Sequence, residues 1–248
     1  MKDLFVTLLG KPEGIVLFQL LDATQYTLYL SAIAFVGGGL VAALLTIARI
    51  APSRIARWIS RAYIWLFQSV PLLMLLFLLG LGVPRLFGID IDPWWAAGVA
   101  LTLFTSAYMG EVWRGAVEAV PKGQWEAARA LGIGFLPTFR MVIFPQAFRL
   151  ALAPTVGFMV QIIKGTSLAY IIGFHDLMNI GKRWANAPVE GTEPFIIFPL
   201  MALIYFAVCF PLSRLAIWLE RRHQEDRHLP PPSDKTTSTR RSLHVQTS

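Results

Sequence analysis

Residues 123–134 read GQWEAARALGIG, a short polar and alanine-rich stretch that lies between two long apolar runs. Between its first two glycines there is room for about nine helical residues, fewer than the roughly 12–15 that an isolated helix needs in water. Trp125, Ala128 and Leu131 follow one another at i, i+3 and i+6, so they share one side of the predicted helix. We therefore expect this helix to dock on a partner through that side.

The whole chain has the composition of an integral membrane protein. It has 248 residues, of which 55% are hydrophobic, and a mean hydropathy of +0.56, above the usage of soluble domains. The formal net charge is +7, but the cations cluster at the ends of apolar runs, which favours a membrane topology signal over nucleic-acid binding. The single cysteine, Cys209, lies inside an apolar run, and the four histidines have no metal-site spacing, so we expect no disulfide and no metal.

Five apolar runs approach the roughly 20 residues that a membrane-crossing helix needs. We therefore predict an all-α membrane protein with five transmembrane helices, at approximately 24–48, 62–82, 93–117, 150–175 and 196–219. Residues 1–23 contain an apolar part too short to cross, and we predict an extracytoplasmic N-terminal segment. Residues 223–248 are polar and proline-rich, which predicts a disordered cytoplasmic tail.

The placement of Lys and Arg predicts the orientation of these spans. Cations crowd the segments after the first, third and fifth spans, whereas the N-terminus and the loops at 83–92 and 176–195 carry more acids. Because cytoplasmic loops are enriched in Lys and Arg, we predict an N-terminus outside and a C-terminus in the cytoplasm. The loop 118–147, which contains the opening stretch, then faces the cytoplasm.

This loop resembles the EAA loop of the permease subunits of bacterial ATP-binding-cassette (ABC) importers, whose pattern is E-A-A, three residues, G, nine residues, I, any residue, L-P. Val142 replaces the isoleucine and Phe144 replaces the leucine, and both changes stay apolar. The resemblance implies the type I ABC importer permease fold, with a cytoplasmic coupling helix that docks on a separate ATPase. The residues that it assigns to this coupling are Gly123, Glu126, Ala127, Ala128, Gly132 and Pro145.

Three further stretches, SAYMGEVWRGAVEAVPKGQWEAARALG, FPQAFRLALAP and IKGTSLAYIIG, resemble the polar amino-acid permeases, which include glutamate/aspartate, glutamine, histidine and arginine importers. The similarity covers roughly residues 24–222. The stretch FQSVPLL has Gln68 where the family usually has arginine, followed by Pro71. In IKGTSL, Gly165 stands where aspartate is common, so Lys164 lacks that neighbouring acid. The resemblance implies a polar amino acid as substrate and leaves its identity open.

The partners follow from what the chain lacks and from this resemblance. The sequence contains no G-x-x-x-x-G-K-[ST] motif, so we expect a non-catalytic subunit without cofactor, with ATP and Mg²⁺ bound by an ATPase dimer. Five spans are few to enclose a pathway, so we expect a second permease chain, identical or related. The resemblance also implies an extracytoplasmic amino-acid-binding protein and location in the bacterial inner membrane.

Two other classes of membrane protein remain as alternatives. A self-sufficient secondary transporter is expected to show internal repeats, and none is evident in the sequence. A membrane-embedded enzyme needs an intramembrane nucleophile, a carboxylate pair or a metal cluster, and none has convincing spacing.

Two sets of residues are candidates for the gate and the pathway, together with Gln68 and Pro71. Glu111 and Arg114 are spaced i, i+3 near the end of the third span, so they can form an ion pair that serves either as an inner gate or as a structural contact.

Lys164 lies well inside the fourth span, where an ammonium group costs roughly 2.5–3.5 kcal/mol on insertion scales. It is either a packing residue or a pathway residue that attracts the α-carboxylate of an amino acid. On the second interpretation Gln161, Thr166 and Ser167 supply hydrogen bonds.

Overall fold

The computed structural model describes residues 13–225, with side chains to residue 222, and every regular element in that part is helical. Residues 1–12 and 226–248 lie outside the described residues, so most of the predicted tail and half of the predicted N-terminal segment are not described. The described helices are α1 (Glu13–Ile50), α2 (Arg54–Ser69), α3 (Leu72–Phe87), α4 (Pro93–Glu118), α5 (Lys122–Ala130), α6 (Phe135–Ile172), α7 (Leu177–Ala185) and α8 (Pro194–Glu225).

Three of these helices, α1, α6 and α8, are long and apolar enough to cross a membrane, and α2 with α3 can form a fourth, broken span. The helix α4 covers the predicted third span almost residue for residue. It is rich in small and hydroxyl side chains and does not reach the same hydropathy. The described chain therefore has three or four candidate spans by length and composition, and the count of five remains a prediction.

The predicted second span, 62–82, is not one straight helix. The helices α2 and α3 meet at an angle of 96°, and Val70 between them is extended, with φ −95° and ψ 125°. The ring of Pro71 disfavours the helical conformation for the residue before it, which accounts for the break.

Two other predicted spans begin earlier than expected. Helix α1 starts at Glu13, so residues 13–23 continue directly into the first span instead of forming a separate segment. Helix α6 starts at Phe135, so the second half of the predicted loop 118–147 is helical. Pro145 is tolerated because a π-helical turn at Phe139–Ile143 precedes it, in which the N–H of Phe144 donates to the carbonyl of Phe139, so the widened turn accommodates a residue without an amide donor.

Helix α1 packs along α4 more extensively than any other pair of helices. At their crossing, a Cβ on Gly38 would lie 2.5 Å from the Cγ2 of Thr105 and 3.2 Å from the backbone nitrogen of Ser106. Only glycine allows this approach, as small residues do at the contacts of membrane helices. Helix α6 packs on the α1–α4 pair, and the short α7 packs between α1 and α8.

Candidate functional site

The helix α5 is a nine-residue element with a well-defined end. Gly132 follows it with φ +70°, its N–H donates to the carbonyl of Arg129 at 3.0 Å, and the N–H of Ile133 donates to the carbonyl of Ala128 at 2.9 Å. These two bonds form a Schellman motif, in which glycine adopts the left-handed conformation without strain. The chain therefore turns sharply between α5 and α6.

The inner side of α5 packs on the chain itself. The ring of Trp125 stacks on that of Phe135, with 5.6 Å between centroids, and it joins an apolar cluster with the end of α4 and the start of α6. Ala128 is 4% exposed, whereas Leu131 is 77% exposed. The prediction that Trp125, Ala128 and Leu131 form one docking side was therefore wrong, because α6 begins close enough to cover two of the three.

The outer side of α5 is free in the described chain. Gly123, Glu126, Ala127 and Leu131 fall at i, i+3, i+4 and i+8, so they share one helical face. All four residues are exposed. Glu126 makes no salt bridge within the described residues, and a Cβ on Gly123 would meet nothing within 4 Å. We call this surface the outer face of α5; it consists of Gly123, Glu126, Ala127 and Leu131. Pro145 is also exposed, but it lies further along α6.

Glu111 and Arg114 form an ion pair within a larger network. The Nε of Arg114 donates to the Oε1 of Glu111 at 2.9 Å, and its Nη1 pairs with the carboxylate of Glu118. The Nη2 of Arg49 lies 4.0 Å from the Oε2 of Glu111. The network joins the ends of α1 and α4, and sequence reasoning had not connected Arg49 and Glu118 to it.

Lys164 and Gln161 lie one turn apart on α6 and are both exposed. Among the described residues, Lys164 makes no salt bridge. Ser167 donates to the carbonyl of Lys164 at 2.6 Å. Thr166 is fully buried, and its hydroxyl donates to the carbonyl of Ile163 at 2.8 Å. The structure thus groups Lys164 with Gln161 but turns Thr166 inward, because its hydroxyl bonds to its own helix.

Gln68 and Pro71 lie at the broken span. The Nε2 of Gln68 donates to the carbonyl of Ala107 on α4 at 3.3 Å, and Pro71 is exposed at the corner between α2 and α3. Gln68 therefore connects α2 to α4.

Sequence reasoning did not single out a buried carboxyl group at the start of α7. Asp176 is fully buried, and its Oδ1 accepts from the N–H of Asn179 at 2.9 Å. Its Oδ2 has no hydrogen-bond partner. Burial raises the pKa of Asp176 to about 7. The signal that could have found it is an acidic residue directly before an amphipathic helix, which is the usual N-cap pattern.

Helix α7 also carries two cations, Lys182 and Arg183, each in contact with a ring outside that helix. The Nζ of Lys182 lies 4.2 Å from the centre of the Tyr170 ring. The Nη2 of Arg183 lies 3.0 Å from the Nε2 of His175. The cation–π contact of Lys182 with Tyr170 attaches α7 to the end of α6.

Residues 34–224 match the family described as binding-protein-dependent transport system inner membrane component. The chain is 35% identical to the probable amino-acid ABC transporter permease YckA of Bacillus subtilis (strain 168), over 80% of the chain and 86% of that protein. It is 33% identical to the L-cystine transport system permease TcyB of the same organism, over 79% and 83% of the two chains. The solved structure of an amino acid ABC transporter with histidines superposes with a TM-score of 0.76 and 28% identity, over 82% of this chain and 94% of that one.

Proposed function

The chain belongs to the family of inner-membrane components of binding-protein-dependent transport systems, and we propose that it is the permease subunit of an ATP-driven importer of polar amino acids. Its all-helical fold is that of the type I ABC permeases. The substrate class is supported by the similarity to YckA, a probable amino-acid permease, and to TcyB, an L-cystine permease.

The observation that carries the proposal is the outer face of α5. A helix of nine residues is too short to be stable alone, yet Trp125 and the Schellman turn hold it rigidly against α4 and α6. A rigid helix whose other face is exposed can transmit force from a partner to the long helices behind it. The proposed partner is a separate ATPase, which binds ATP and Mg²⁺ and contacts Glu126 and the small residues beside it.

The proposal includes a topology and further partners. The N-terminus lies outside and the C-terminus in the cytoplasm of the inner membrane, with α1, the α2–α3 pair, α4, α6 and α8 as five spans. A second permease chain, identical or related, completes the pathway, and an extracytoplasmic binding protein delivers the amino acid.

The ion network at the ends of α1 and α4 supports an inner gate at this position. Arg114 pairs with both Glu111 and Glu118 on its own helix, while Arg49 reaches Glu111 from α1. Since α5 follows α4 after three residues, a displacement of α5 would act directly on the end of α4. We infer that this network opens and closes the pathway as the ATPase moves α5.

The substitution Glu126→Lys tests the coupling. It reverses a charge on the outer face and keeps the inner packing of Trp125 and Ala128, so the chain should still enter the membrane. ATP hydrolysis and amino-acid uptake should become uncoupled, with uptake reduced at least tenfold when both are measured on one proteoliposome preparation.

Glu220→Lys is the matched control, because Glu220 is an exposed acid on α8, away from α5. It should leave both rates unchanged. Full uptake by Glu126→Lys, with normal stimulation of ATP hydrolysis, would remove Glu126 from the contact with the ATPase.

A further inference from the structure

A groove of about 360 Å³ lies between α1, α4 and α6. We call it the apolar groove; Ala43, Trp113, Val117, Phe144 and Ala151 are among the residues that line it. Its few polar side-chain atoms are already bonded within the chain. The Nε1 of Trp113 donates to Thr155 at 2.9 Å and the hydroxyl of Thr46 donates to the carbonyl of Ala42 at 2.8 Å. A polar group placed in this groove would lose its hydrogen bonds to water without replacement, so the groove favours an apolar ligand.

A larger cavity of about 940 Å³ lies next to this groove, between α5 and the ends of α1 and α4. We call it the polar chamber; its charged lining residues are Arg49, Glu118, Lys122, Glu126 and Arg129. Glu118 is already paired with Arg114, so the cations outnumber the free carboxylates. The Nη1 of Arg49 is buried without a hydrogen-bond partner. A buried, unpaired donor of a guanidinium group is a ready partner for an anion, and for phosphate in particular.

The two cavities adjoin. Val117 lines both of them. On α6, Thr138 lines the chamber and the next residue, Phe139, lines the groove. On α1, Ile47 lines the groove and Arg49 lines the chamber. A single molecule with an apolar part and an anionic end therefore fits the pair.

We propose that the apolar groove and the polar chamber together bind one anionic phospholipid of the cytoplasmic leaflet. An acyl chain occupies the groove, and the phosphate group contacts Arg49, Lys122 and Arg129. The placement in the cytoplasmic leaflet rests on the proposed topology. Charge complementarity favours this occupant, because basic residues at that leaflet attract anionic lipids.

A lipid also suits the position of the groove better than a protein partner does. The groove lies along α1 and α6, two helices that are apolar enough to cross a membrane, so hydrocarbon is the solvent beside it. A partner that approaches the outer face of α5 would not place an apolar group there. The bound lipid would lie behind α5, where Glu126, at the edge of the outer face, also borders the polar chamber.

The test is a lipid titration of the full chain in detergent, followed by native mass spectrometry. Dioleoyl phosphatidylglycerol and dioleoyl phosphatidylcholine are the two probes. The double variant Lys122→Gln/Arg129→Gln should bind phosphatidylglycerol about tenfold more weakly, because two cationic contacts are lost, and its binding of phosphatidylcholine should change little. The control Arg149→Gln/Arg221→Gln removes two exposed cations outside the chamber and should bind both lipids as the unmodified chain does.

A second variant tests the groove. Ala43→Phe fills it from α1 and should weaken the binding of phosphatidylglycerol about tenfold, whereas Leu40→Phe adds the same ring at a position that is 68% exposed and should have no effect. Should Ala43→Phe not fold, as judged by its circular dichroism, the double variant decides alone. Binding by the double variant equal to its control overturns the proposal, as does competition by glycerol 3-phosphate as strong as by the lipid. Because the titration needs no ATPase, its outcome is independent of the proposed transport function.

Discussion

At the scale of single residues, Lys164 is an exposed cation in the second half of the long helix α6, beside the exposed amide of Gln161. An ammonium group at this depth needs a partner or a water-filled cavity. In the proposed importer that partner is the α-carboxylate of the passing amino acid. This role accounts for a lysine that packs against no acid of the described chain.

Lys164→Met is expected to lower the uptake of all substrates alike, because the α-carboxylate is common to every amino acid. Lys164→Arg should retain part of the activity. The measurement is uptake into proteoliposomes, with co-purification of the ATPase as the check on assembly. Normal uptake by Lys164→Met, or loss of the assembled complex, would leave Lys164 with a packing role alone.

Asp176 predicts a pH dependence of stability. Its pKa is raised by burial to about 7 in the folded chain, whereas an unfolded aspartate titrates near 3.9. Between roughly pH 4 and pH 7 the unfolded chain binds fewer protons, so the free energy of unfolding falls as the pH rises and then levels off.

The variant Asp176→Asn keeps an N-cap residue for α7 and removes the titration. Its melting temperature in detergent should equal that of the unmodified chain near pH 4 and exceed it at pH 8, by the equivalent of a few kcal/mol. The midpoint can be followed by circular dichroism across this range. Parallel pH profiles for the two chains would mean that Asp176 is ionised in the folded state.

At the scale of helices, the absence of a side chain at Gly38 allows α1 to pack closely against α4. Gly38→Ala places a methyl group against the stiff side chain of Thr105 and near the backbone of Ser106, and overpacking of this kind costs about 1–3 kcal/mol. Gly115→Ala on α4 meets nothing within 4 Å and should be neutral or stabilising. The melting temperatures of the two variants are compared by thermal unfolding in detergent. Equal melting temperatures would show that α1 and α4 can move apart at Gly38 without loss of stability.

The helices that the sequence predicts well are those whose limits have a local cause. Helix α4 starts after Asp92, whose side chain accepts from the N–H of Trp94 at 2.7 Å, and such a cap with a following proline is readable from sequence. The start of α6 is not, because Pro145 disfavours a helix that runs from residues 135–147 into the fourth span. Their helix is held by the stacking of Trp125 on Phe135, which is a tertiary contact.

In the candidate site, too, the features with a local cause are predictable from the sequence, whereas those that depend on tertiary contacts are not. The spacing from Glu126 to Gly132 predicts a short helix and a sharp turn, and the structure has α5 and the left-handed Gly132. Which side of α5 remains free depends on where α6 returns, so the periodicity of apolar residues pointed to the side that the chain covers itself. The inward turn of Thr166 and the network through Arg49 likewise depend on contacts that no local pattern encodes.

At the scale of the whole molecule, the described chain exposes large apolar side chains along every long helix. It also leaves the polar pair of Gln161 and Lys164 without cover. The first property suits a bilayer, and the second requires something other than lipid beside α6. In the proposed importer a second permease chain facing this one would supply that environment, and the pathway would lie between the two subunits.

In the proposed importer, a separate ATPase drives amino-acid transport through this chain. The most direct test is the uptake of radiolabelled amino acids by proteoliposomes that contain the chain with its ATPase, its paired permease and its binding protein. We predict that uptake requires ATP and the ATPase, and that it persists when ionophores abolish the proton and sodium gradients. Accumulation by the chain alone, driven by an imposed ion gradient without ATP, would contradict the account and identify a secondary transporter.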